Sequence, residues 1–184
     1  MTQEENVRSL ADLGRVTAAA LRGQGSPYLT TGDIDSETAP IAEALARMCE
    51  RGYVTTCSQP AYSSPDGMGH GRAFVTGLCN EEVACVIQAA TVGTDLVAIL
   101  HPPGAEHWAT VLVGTMPEPD PPLSLGRACA DEDADSYGEY FSEELAEAVR
   151  EAWMVEVFDA HWGRDDLLWS SLLRALTGGH DAAC

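Results

Sequence analysis

Three times in this chain a helical pattern runs almost without a linker into a β-rich segment: 39–51 into 53–57, 81–92 into 95–100, and 142–153 into 154–158. Connections this short leave little freedom, because each helix must fold back on the sheet that its strand joins. The helices are legible in apolar spacings of three and four, as in Ile41, Leu45 and Met48 or Val83, Ile87 and Ala90, and in stops at Gly52 and Gly93. Thr38 and Asn80 stand where N-caps belong. Two more β-rich runs, 72–78 and 107–114, hang on loops, and helical patterns at 6–22 and from Asp165 to Leu176 complete the set. The expected fold is α/β or α+β: a mixed β-sheet of about five strands with helices packed on it. The runs 95–100 and 107–114 are expected to pair as a hairpin across His101-Pro102-Pro103-Gly104.

The rhythm spans the chain, so residues 1–184 are expected to form a single domain, long enough to bury a core. The exception is 117–140, where Pro117, Pro119, Pro121 and Pro122 precede an acidic run from Asp131; it reads as a linker or lid. Eleven residues between Ala61 and Gly71 form a second long, glycine-rich connection.

Several function classes are excluded by chemistry. All ten basic residues are arginine. Without lysine there is no Schiff-base or pyridoxal-phosphate anchor and no P-loop lysine. The net charge of −19 disfavours direct binding to nucleic acid, which needs clustered cations, and to anionic membranes. No apolar run approaches the roughly eighteen residues that span a bilayer. Thr2-Gln3-Glu4-Glu5 is unlike a basic signal-peptide start, so a cytoplasmic location is expected, with most of the six cysteines reduced.

The strand ends carry the reactive side chains. If the three helix-fed strands run parallel, Cys57-Ser58-Gln59, His101, and Asp159 with His161 share one edge of the sheet, where α/β proteins place ligands. A thiol, imidazoles and a carboxylate are what nucleophilic catalysis requires, so Cys57, His101, His161 and Asp159 are the candidate catalytic residues for acyl or amidine chemistry. The alternative is a structural thiol at a strand end. Ser58 and Gln59 supply hydrogen bonds, while His70, Arg72, His107 and Trp162 add an anion grip, imidazoles and a stacking ring for a ligand. Gly67–Arg72 lacks the strand and helix that would make it a phosphate loop. The cysteines lack CxxC spacing and the histidines lack a helical pair, so no metal is expected.

Asp35-Ser36-Glu37-Thr38-Ala39-Pro40, followed by a helix and then Gly52-Tyr53-Val54-Thr55-Thr56-Cys57-Ser58-Gln59-Pro60, resembles small uncharacterised actinobacterial proteins described as a domain of unknown function; Leu10-Ala11-Asp12-Leu13-Gly14 is similar too. The likeness covers about the first third of the chain and implies no activity. It stresses Ser58-Gln59-Pro60 over Cys57, which favours a binding role there.

The sequence therefore points to a protein that binds a small polar or anionic molecule at the strand-end edge and has the residue types to act on it. The alternative is an acidic interaction module (an inhibitor, immunity protein or nucleic-acid mimic) using the region 117–147.

Overall fold

In the computed structural model the residues described are 7–24, 34–63, 70–105, 111–113, 123–125, 134, 135, 137, 139 and 141–178. Helix α1 (Leu10–Leu21) is capped by Ser9, whose hydroxyl accepts from the Asp12 amide. A 3-10 turn (Ala39–Ile41) enters α2 (Ala42–Glu50); Thr38 makes no side-chain cap there, and Pro40 opens the turn instead. Gly52, at φ +88°, makes the left-handed turn that a side chain would strain, and β1 (Val54–Gln59) begins two residues later. Short strands β2 (Tyr62–Ser63) and β3 (His70–Gly71) pair with each other. Then follow β4 (Phe74–Cys79), α3 (Glu81–Thr91), β5 (Leu96–His101), β6 (Val111–Val113) and β7 (Leu123–Leu125). Helix α4 (Glu143–Arg150), β8 (Trp153–Asp159) and α5 (Leu167–Thr177) end the described chain. Asn80 caps α3 through the Val83 amide, and Ser142 caps α4 through the Leu145 amide.

The fold class is the one expected, α/β, but the strand arrangement differs. The main sheet has the order β1-β4-β8-β5, and every pairing in it is antiparallel. β1 and β8 run in one direction, β4 and β5 in the other. Hence β1 and β8 end on one edge of the sheet and β5 ends on the opposite edge, with His101 paired to Met154 near the start of β8. The shared edge expected for all three strands does not exist. β5 pairs with β8, and β6 pairs with β7, which replaces the expected hairpin between 95–100 and 107–114.

Alternation along the strands makes two faces. Tyr53, Val75, Cys79, Leu96, Val155 and Val157 lie in one buried cluster with Met48 of α2, Ile87 of α3 and Leu172 of α5. Val54 and Leu78 pack in a second cluster with Leu13 of α1 and Val149 of α4. The sheet is thus sandwiched between helices. Tyr53 is fully buried, and its hydroxyl donates to the Val155 carbonyl at 2.9 Å, with the Val75 carbonyl at 3.3 Å. Its ring fills the place a side chain would take at Gly77, where an added Cβ would meet Tyr53 Cε2 at 2.7 Å and the Val54 carbonyl oxygen at 2.7 Å.

Of the expected linker 117–140, the residues outside β7 and the four at 134, 135, 137 and 139 lie beyond those described; Ala134 and Tyr137 are buried in the second cluster. Among the described cysteines Cys49, Cys57 and Cys79 are free and Cys85 is disulfide-bonded. No helix among the described residues is long and apolar enough to cross a membrane.

Arg22, at the end of α1, bonds Glu43 at 2.9 Å and Glu50 at 2.5 Å on α2. Its hydrogen bonds hold both carboxyls below their usual range. Groups depressed in the folded state contribute stability above their unfolded pKa and lose it as pH falls through the folded one. The urea midpoint is therefore expected to drop between about pH 6 and about pH 3, and to drop less in Arg22→Gln. An equal drop in both proteins would show that these pairs contribute nothing.

Candidate functional site

The edge where β1 and β8 end is the best-built polar region among the described residues. Gln59 pairs with Phe74, and Phe74 with Phe158, so the end of β1, the start of β4 and the end of β8 line up side by side. Asp159 follows, with its side chain wholly buried. Arg164 grips it bidentately, Nε and Nη2 each donating at 2.7 Å, and the His161 amide adds a third bond at 2.8 Å. The same guanidinium donates through Nη1 to Asp95 at 3.0 Å, and His161 Nε2 lies 3.3 Å from that carboxylate. Arg164 holds the Asp95 carboxyl below its usual range, with the His161 charge adding to the effect. A buried carboxylate spent on three donors is an anchor for the loop 160–164.

A second latch sits beside it. Asp165 Oδ1 accepts from the Ala61 amide and from Trp169 Nε1, both at 2.8 Å, and the Gly163 amide donates to the Gly71 carbonyl at 2.9 Å. These bonds tie the loop after β8 to the segment after β1 and to β3. They bring Trp162 and Arg72 together: the Arg72 guanidinium carbon lies 4.3 Å from the centre of the Trp162 ring, a cation–π contact. Arg72 Nε is buried and has no hydrogen-bond partner among the described residues. Trp162 and Tyr62 are both exposed at this edge.

The structure thus gathers Ser58, Gln59, Arg72, Asp159, His161 and Trp162 on one edge, with the backbone of His70 in β3 nearby. It separates two others. His101 sits at the far end of β5, buried, with Nε2 3.1 Å from Glu156 Oε2. Cys57 lies within β1, past a bulge between Thr55 and Cys57, and pairs with Thr76. From β1 to β5 are three strand spacings, about 14 Å, so His101 is not placed to take a proton from Cys57. Desolvation pushes the Cys57 thiol pKa up; the Ser58 amide opposes this and the Glu156 charge adds to it. A nucleophilic cysteine needs the reverse shift. His107 lies outside the described residues.

Sequence reasoning missed Glu156, Asp95, Arg164 and Asp165. The signal for Glu156 was present: it is the one charge inside Trp153-Met154-Val155-Glu156-Val157-Phe158, where burying an acid is costly unless it is partnered. No group of three or more histidine, cysteine or acidic residues suited to a metal ion occurs among the described residues.

These features define a single-domain α/β protein with a helix-covered antiparallel sheet and a polar, arginine-bearing edge. The chain belongs to the family described as Domain of unknown function (DUF6919), which matches residues 3–179. That match covers nearly all of the chain, where the resemblance legible in the sequence covered its first third. A comparison with curated proteins finds no match.

Proposed function

We propose that the protein binds a small polar molecule carrying a carboxylate or phosphate at the β1/β8 edge, with Arg72 as the anion grip. The observation that supports this most is the state of Arg72. It rests on the Trp162 ring, and its buried Nε lacks a protein acceptor among the described residues. Arg22, Arg150 and Arg164, by contrast, are each committed to two or more carboxylates. An arginine held against an aromatic ring loses little further entropy on taking an oxyanion in its fork. Ser58, Gln59 and His161, on the same edge, are the hydrogen-bonding partners we assign to the rest of the molecule.

The reading is of a binding protein first. Any chemistry falls to groups that the ligand brings beside His161, since the Cys57 thiol is shifted away from the thiolate. The alternative of an acidic interaction module draws on 117–147. Within it, α4 spends Glu143 and Glu147 on Arg150, at 3.3 Å and 3.0 Å, which leaves that surface less of a bare carboxylate face.

Native mass spectrometry of the purified protein, followed by calorimetric titration with inorganic phosphate and with mono- and dicarboxylates, tests the proposal. Saturable binding is expected, weakened about 10- to 100-fold in Arg72→Gln, the scale of a lost charge-assisted hydrogen-bond pair. Trp162→Ala is expected to weaken it less, by up to roughly 10-fold. Anion binding that is unchanged in Arg72→Gln would rule the edge out.

A further inference from the structure

The opposite face of the sheet carries a polar row that the edge site does not use. In register across three strands stand Cys57, Thr76 and Glu156, and the Thr56 hydroxyl lies 3.0 Å from that of Thr76. His101, one strand further on, closes the row through Glu156 Oε2. Apolar residues bound it on both sides: Phe74, Phe158 and Ile99 toward the β1/β8 edge, and Val54, Leu78 and Met154 toward α1 and α4. Thr76, Glu156 and His101 are buried, at 8%, 4% and 1% exposure, whereas Thr56 and Cys57 on edge strand β1 are exposed. The row therefore opens toward solvent at β1 and deepens toward the carboxylate.

The carboxylate is only half used. Glu156 takes one hydrogen bond, at Oε2; Oε1 accepts none from a described residue. Among the described residues Arg72 Nε is the one wholly buried side-chain nitrogen or oxygen without a partner, so Oε1 keeps contact with solvent and is open to a donor that a ligand brings. Thr76 and Thr56 already bond each other, and Cys57 carries a neutral thiol, a poor donor. What the row lacks is a donor with positive charge. A protein carrying −19 concentrates small cations around it.

We propose that this row is a second binding site, which takes an ammonium, guanidinium or amidinium group on Glu156, with Thr56 and Cys57 at its mouth. His101 is a positioning residue that holds Oε2 and leaves Oε1 for the ligand. The site does not depend on the edge reading, since Arg72 and Trp162 take no part in it.

Titration of the ¹⁵N-labelled full chain with benzamidine hydrochloride and with n-butylamine hydrochloride tests it. Saturable amide shifts are expected at Thr56, Cys57, Thr76 and Glu156. Glu156→Gln, nearly isosteric, is expected to weaken binding about 10- to 100-fold, as loss of a charged acceptor does, while Arg72→Gln leaves it unchanged. Because a variant at a buried position can fail to fold, a second measurement uses the wild-type protein. Bound benzamidine is expected to slow iodoacetamide modification of Cys57, followed at the peptide level. Scattered, non-saturating shifts, equal binding by a folded Glu156→Gln protein, or an unprotected Cys57 would each overturn the proposal and leave Oε1 a solvated oxygen.

Discussion

Replacing Tyr53 by alanine is expected to remove about 3–5 kcal/mol of folding stability, the range for emptying an aromatic site in a packed core. Tyr53 is wholly buried, it fills the gap over Gly77, and its hydroxyl reaches carbonyls on two neighbouring strands. All three are lost together. For a chain of this length each kcal/mol moves the melting temperature by about 2–4 °C, so a fall of about 10 °C is the expected reading. Tyr53→Phe separates the parts: it keeps the ring and loses only the hydroxyl bond, for about 1 kcal/mol. Urea unfolding of the two variants checks the order. If phenylalanine costs as much as alanine, the ring is not what fills this site.

The second large effect is expected at Gly77. Alanine there would bring a methyl to 2.7 Å from both Tyr53 Cε2 and the Val54 carbonyl oxygen. The first contact is with a ring locked by its own hydrogen bonds, and the second is with the backbone of the paired strand. Neither yields cheaply, so a cost of about 1–3 kcal/mol is expected, as for other overpacked cores. The two substitutions should not add. In a Tyr53→Ala background the ring contact has gone, and Gly77→Ala should cost visibly less than it does alone. Additivity within about 0.5 kcal/mol would mean that the Val54 carbonyl alone sets the penalty.

The two residues also mark how far the sequence could be read. Apolar spacing and caps placed helices α1 to α5 and the four strands of the main sheet within a few residues, because those patterns record which face of an element is buried; the helical residues 134, 135, 137 and 139 fell in the segment read as a linker. They carry no information on which strand lies beside which. The three helix-to-strand connections looked alike, yet β8 turned out antiparallel to β5 and parallel in direction to β1. That single fact moved His101 to the far edge and parted it from Asp159. Arg72 and Trp162 were legible as ligand-binding types, and the contact between them was not, since Gly71–Gly163 and Ala61–Asp165 bonds across roughly a hundred residues produce it. Glu156 was legible and passed over: a lone acid among apolar strand residues. The long loop 64–69 and much of 106–133 were assigned from composition, and lie outside the described residues.

The sheet order carries a consequence for how the chain is made. β8, the last of the described strands in chain order, belongs between β4 and β5. Until residue 159 has emerged, the nascent chain holds two strands whose inner edges have no neighbour, a state open to wrong pairing. Completion of the sheet must wait for contacts across long sequence separations, such as Phe74 with Phe158, and these close slowly. Truncation before β8 would therefore remove the centre of the sheet, not its border.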